Sequence, residues 1–131
     1  MSRVKFKIWD KTNNRWLTSN CGEFLLTQEG NAVFHQNGDN PLEAIIAQID
    51  HEVLMYTGLK DKNGTEIYEG DIIKYSHKAV GEIKREVRYK YGMYGIEGRH
   101  EGTQIPFANI LGSEREVVGN IYENPELLEG N

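Results

Sequence analysis

An Asn-Gly pair stands near the middle of this chain, within Asp61-Lys62-Asn63-Gly64. Both residues accept positive φ, so the pair favours a tight turn whose twist matches two antiparallel strands. The flanking runs fit that reading. Val53-Leu54-Met55-Tyr56 precedes the turn, and Thr65 to Tyr68 follows it. Glu69-Gly70-Asp71 then marks a bulge or kink before a further apolar strand, Ile72-Ile73-Lys74-Tyr75.

Period-two patterns extend the reading to both sides. Val4, Phe6 and Ile8 alternate with Arg3, Lys5, Lys7 and Trp9, which predicts a half-buried strand. A turn at Asp10–Asn14 and an extended Arg15-Trp16-Leu17 complete a hairpin. Phe24-Leu25-Leu26 and Ala32-Val33-Phe34 frame Glu29-Gly30-Asn31 as a second one. Glu82 to Tyr91 alternates, with Ile83, Arg85, Val87, Tyr89 and Tyr91 on one face. Glu82, Lys84, Glu86, Arg88 and Lys90 form the other, a solvated ladder of mixed charge. Gly92, Gly95, Gly98 and Gly102 predict a loose, mobile stretch over 92–112. Val117 to Tyr122 reads as the last strand, and Asn124-Pro125-Glu126-Leu127-Leu128 as a capped turn with its leucines on the core.

One helix is expected, over 41–50. Asn40, Pro41 and Glu43 form a start signal, and Leu42, Ile45, Ile46 and Ile49 follow at i, i+3, i+4 and i+7. The fold class is therefore mainly β: a twisted antiparallel sheet or partly open SH3-like barrel with N-terminal hairpins and one short helix. At 131 residues a single domain over 1–131 is expected, large enough to hold a core without metal or disulfide.

Cys21 is the lone cysteine, so no internal disulfide and no oxidising compartment are expected. No apolar run approaches the ~20 residues needed to span a bilayer, and the first nine residues alternate instead of forming a signal core. The expected compartment is the cytoplasm, with no membrane contact. The net charge of −5 disfavours nucleic-acid binding by the whole surface. Its distribution is uneven: residues 1–15 carry a local net of +4, and residues from Glu114 onward a local net of −4. Ends of opposite sign suit head-to-tail contact as well as an acidic partner.

Catalytic constellations are sparse. His35, His51, His77 and His100 are scattered, without paired helical spacing or a Cys-x-x-Cys, so no metal site and no cofactor are expected. Glu66, Glu69 and Asp71 form the one carboxylate group to weigh, as acid–base or Mg²⁺ ligands against solvated edge charges, or with Asp71 bonding its own turn. The strongest binding candidate is the face of Arg3, Lys5, Lys7 and Trp9. It offers phosphate contacts beside a stacking ring, although lysines on an edge strand also serve to block aggregation.

Three stretches carry a family resemblance: Lys5–Lys11, Leu54–Lys74 and Val118–Leu128. Together they resemble the YopX family, small proteins of phages and prophages. One departure is visible, since the family's usual Gln between Met and Tyr is absent after Met55. The resemblance implies phage or prophage origin, a bacterial host cytoplasm and a β-rich fold, and brings no activity with it. The resulting expectation is a non-enzymatic binding or accessory protein. Its partner would be a protein (itself in a homo-oligomer, a phage component or a host factor). Nucleic acid bound through the N-terminal strand is the alternative, and a divalent-metal-dependent enzyme the third reading.

Overall fold

The computed structural model describes residues 5–18, 22–26, 28–29, 32–36, 46–47, 51–78, 81–98 and 100–129. Those residues are mainly β, with short 3-10 turns and no long helix. The chain divides into two compact units, Lys5–Leu54 and the residues from Met55 onward.

In the first unit, β1 (Phe6–Asp10) and β2 (Arg15–Leu17) pair antiparallel with Ile8 opposite Leu17 and Trp9 opposite Trp16. Asp10 closes their turn. Its Oδ1 accepts the amides of Thr12 and Asn13 at 3.0 and 3.2 Å, and its Oδ2 accepts Asn13 Nδ2 at 2.8 Å and Arg15 Nε at 3.4 Å. Burial pushes this carboxyl up, but the four donors outweigh it and hold it below the usual carboxylate range. Ile8 and Leu17 are buried with Phe6 and Val53 packed on them. The second expected hairpin is present as β3 (Gly22–Leu26) and β4 (Ala32–Gln36), in register from Gly22 opposite Gln36 to Leu26 opposite Ala32.

The helix expected over 41–50 is corrected where it is described. Ile46–Ala47 is a short strand, β5, paired with Phe34 and His35 of β4. A β-branched isoleucine loses little on a pleated surface, and the available edge of β4 supplies hydrogen bonds that outweigh a helical spacing. The rest of that span lies outside the described residues.

β6 (His51–Lys60) passes from the first unit into the second, where it pairs with β7 (Glu66–Tyr68) through the Asn63-Gly64 turn. Gly64 has φ +84°, the left-handed value such a turn demands of one residue. Beyond β7 lies one antiparallel sheet. Its members are β8 (Asp71–His77), β9 (Gly81–Lys90), β10 (Met93–Glu97), β11 (Gln104–Pro106) and β12 (Arg115–Asn120), in the order β11-β10-β9-β8-β12. The sheet curls as a half-barrel around Ile67, Ile73, Tyr75, Ile83, Val87, Ile96, Phe107 and Ile110. A fully buried isoleucine among these contributes roughly 2 kcal/mol.

Residues 92–112 are not the loose stretch their glycines predict. They form β10, β11 and a 3-10 turn at Phe107–Asn109 that buries Phe107. Gly95 is there for close approach: a Cβ on it would overlap the Ile105 carbonyl of the neighbouring strand. β12 ends at Asn120, two residues earlier than its pattern predicts. The Asn120 side-chain oxygen accepts the amides of Tyr122 and Glu123 at 3.0 and 2.8 Å and turns the chain. The expected final turn follows at Pro125–Leu128, with both leucines half-buried.

Candidate functional site

The N-terminal candidates separate. Arg3 lies outside the described residues. Lys5 and Lys7 are exposed, and Lys7 Nζ sits 5.7 Å from the Trp16 ring centroid. Trp9 is a correction to the predicted face. It is 7% exposed, and it meets Trp16 edge-on with centroids 4.9 Å apart. The cross-strand Trp16 ring helps cover Trp9, which is buried like its neighbour Ile8 against strict alternation, so the expected stacking ring is not on the surface.

The three carboxylates do not converge. Asp71 is buried and its Oδ2 accepts the Tyr68 amide at 2.8 Å, closing the turn around Gly70. Glu69 Oε1 accepts the Met55 amide at 2.9 Å, while Glu66 is half-buried on β7. Among the described residues no three His, Cys, Asp or Glu side chains are placed to hold a metal ion. His51 is half-buried, His77 and His100 are exposed, and His77 lies 3.8 Å from Glu114. Cys21 lies outside the described residues.

Two features of the second unit were not singled out from the sequence. The first is the end of the β9–β10 hairpin. Ile83 and Val87 are buried, but Tyr89 and Tyr91 on the same alternating face are 57% and 63% exposed, and Met93 is exposed beside them. Tyr89 packs edge-on against Tyr94 at 4.9 Å, and Lys90 Nζ lies 5.2 Å from the Tyr91 ring. Tyr91 and Gly92 have φ of +56° and +76°. Both central residues of the turn are thus left-handed, a geometry that favours Asn-Gly and costs a tyrosine about 1–2 kcal/mol.

The second is a cleft of 470 Å³ lined by Lys84, Arg85, Glu86, Arg88, Glu97, Glu101 and Leu128. Arg88 is fully engaged. Its Nη1 donates to Glu97 at 3.0 Å, its Nε to Gln104 at 2.7 Å, and its Nη2 to the Thr103 carbonyl at 2.8 Å. Tyr91 donates to the adjoining Gly102 carbonyl at 3.0 Å, so one loop touches both cleft and hairpin end. Burial pushes the Glu86 carboxyl up, with the Arg88 charge opposing it, so this face is not the solvated ladder the alternation predicts. Only a Tyr-Gly pair where Asn-Gly is ordinary could have flagged the hairpin end in the sequence. The cleft leaves no such mark.

The model of the YopX protein family matches residues 5–129. The chain belongs to the YopX family. Two solved structures support its fold over nearly its whole length. A protein from Enterococcus faecalis is 28% identical, with a TM-score of 0.60, and the match covers 97% of this chain and 99% of that one. Protein yopX from Bacillus subtilis is 17% identical, with a TM-score of 0.62 and coverage of 95% and 97%. No curated protein sequence matches. In this YopX-family chain the central and terminal stretches that carry the resemblance serve turns and strand ends, through Asp61, Glu69, Asp71 and Asn120. Among the described residues no helix is long and apolar enough to cross a membrane.

Proposed function

We propose that this chain is a phage- or prophage-encoded, non-enzymatic accessory protein that works by binding another protein. The observation that carries the reading is the strained, exposed end of the β9–β10 hairpin. Tyrosine and methionine are enriched at protein interfaces, tyrosine because it brings a large, rigid contact area at low entropic cost and methionine because its flexible thioether adapts to irregular surfaces. A tyrosine held in the left-handed region without burial gains for the fold only solvent-facing contacts, here with Gly102 and Lys90. Its retention there fits a role in contact. Together Tyr89, Tyr91 and Met93 expose roughly 300 Å². A stable interface needs about 800 Å² per partner, so the hairpin end is an anchor inside a larger contact.

The test places a photo-crosslinking amino acid at position 91, and separately at exposed Ser113, and irradiates the full chain in bacterial host lysate. A discrete protein adduct from position 91, absent from position 113 and lost on Tyr89→Ser, is the expected outcome. Light scattering that shows a strict monomer, together with no adduct from position 91, overturns the reading.

A further inference from the structure

Ile72 is fully buried, although it lies on the face of β8 opposite to Ile73 and Tyr75, which enter the core. Its neighbours across the ladder are Glu86 on β9 and Gly119 on β12. The next row on that outer face is charged, with Lys74 between Lys84 and Glu116. The final turn reaches the strands on both sides of Ile72. An added Cβ at Gly119 would stand 2.6 Å from Asn124 Oδ1 and 2.9 Å from Leu127 Cδ1. Gly119 is not left-handed, so its bare backbone serves this close approach. On the other side the turn lies against β9, where Leu128 lines the cleft with Glu86.

The attachment is light. Ile121 donates its amide to the Gly70 carbonyl at 2.9 Å, which ties the chain to the sheet. Beyond it the amides of Asn124, Leu127 and Glu129 donate within the segment, to the carbonyls of Asn120, Asn124 and Glu126 at 2.8, 3.1 and 3.2 Å. No residue of Pro125–Leu128 is buried. Glu86 is half-buried beside Leu128, and the cost of covering its carboxylate opposes closing. Segments with local backbone bonds and little burial open at lower free energy than the core they cover. We infer that Asn124–Glu129 is a releasable strap, closed over Ile72 and able to open while the sheet stays folded. Opening withdraws Leu127 from Gly119 and breaks the 3.2 Å bond from the Asn120 amide to Asn124 Oδ1. The Asn120 side chain keeps the amides of Tyr122 and Glu123 and so holds the root of the strap. The strap covers the outer face of the sheet, whereas Tyr89 and Tyr91 share the alternating face of Ile83 and Val87, so this inference is independent of the hairpin-end reading.

The test is native-state hydrogen exchange on the full chain, followed amide by amide in wild type, Gly119→Ala and Leu127→Ala. In wild type the Leu127 amide is expected to be protected, but roughly tenfold or more below Ile83, with little dependence on added urea. Either substitution lowers Leu127 protection further and leaves Ile73 and Ile83 unchanged. At Gly119 the added methyl meets the ends of two strap side chains, so the strap yields and the sheet does not. A second readout places a thiol beneath the strap, as Ile72→Cys in a Cys21→Ser background. Its labelling by a thiol reagent is expected to rise roughly tenfold or more when Gly119→Ala or Leu127→Ala is added. Leu127 protection equal to that of Ile83 and lost with the same urea dependence overturns the inference, because the turn then opens only with the whole fold. An unprotected Leu127 amide in wild type overturns it too, since no closed strap exists. So does labelling at position 72 that neither substitution changes. Loss of Ile83 protection in a folded Leu127→Ala variant makes the turn part of the core and ends the proposal.

Discussion

Asp61 Oδ2 accepts the backbone amide of Val117 at 2.9 Å, across a sequence separation of 56 residues. Its other oxygen accepts the amides of Asn63 and Thr65 at 2.8 and 2.9 Å. One buried carboxylate therefore shapes the Asn63-Gly64 turn and pins β12 where its register shifts between Val117 and Gly119. Removing it leaves amides without acceptors. Asp61→Ala lowers stability by about 3 kcal/mol, read as a fall in the urea midpoint with an unchanged m-value.

The same carboxylate sets an acid limit. Burial pushes the Asp61 carboxyl up, but the amides of Val117, Thr65 and Asn63 and the Lys62 charge together bring it below its ordinary value. A group with a depressed folded pKa contributes stability that is fully present above its unfolded value, about 4, and lost as pH falls toward the folded one. Wild-type stability falls below pH ~4. In Asp61→Asn the slope there is shallower, measured by denaturant unfolding between pH 2.5 and 6 (roughly the window of carboxylate titration).

Glu86 has the opposite sign. Burial raises its carboxyl, so its ionised form opposes folding at neutral pH. Glu86→Gln raises stability at pH 7 by under about 1 kcal/mol. That gain shrinks as pH falls through the carboxylate range, because the wild-type group is then protonated in both states. Paired melting curves at pH 4 and pH 7 (values bracketing a raised carboxylate) check the sign.

Tyr91→Asn separates stability from binding. Asparagine suits a left-handed turn position beside Gly92, and the relieved strain outweighs the lost solvent-facing hydrogen bond to Gly102, so the variant gains under about 1 kcal/mol and melts slightly higher. It also loses the exposed ring, and capture of a partner protein falls. A variant that is no more stable than wild type contradicts the assignment of strain at Tyr91.

Two glycines discriminate turn strain from close approach. Gly64→Ala meets open space and pays only for its left-handed φ, about 1–2 kcal/mol. Gly95→Ala drives a methyl group into the Ile105 carbonyl, with Pro106 Cα 2.9 Å away. It costs about 3 kcal/mol or more, or abolishes the β10–β11 pairing, seen as lost amide protection over 93–106.

Much of the fold was legible because its signals are local. The Asn63-Gly64 turn, the Asp10–Asn14 turn and the alternation of β9 each depend on residues a few positions apart, and the structure places strands there. The misreadings share the opposite cause. Gly95 reads as a loop former until Ile105 is seen against it. Ile46 fits a helical spacing until β4 offers it an edge. Trp9 alternates outward until Trp16 meets it from the next strand.

The sequence by itself determined the N-terminal hairpins, the strands from β6 to β9, the neighbourhood of β12 and the family, since φ preferences and period-two patterning act within a short window of chain. Tertiary structure decided which apolar side chains are covered. Ile83, Val87, Tyr89 and Tyr91 carry one pattern, yet the core reaches only the first two, because Ile67, Ile96, Phe107 and Ile110 close over that part of the sheet alone. It also decided that Lys84 would stand opposite Lys74 with Glu116 on one side only. Burial and charge balance are sums over neighbours distant in sequence, so the surface proposed for binding and the seat beneath the final turn emerge only when the sheet has curled.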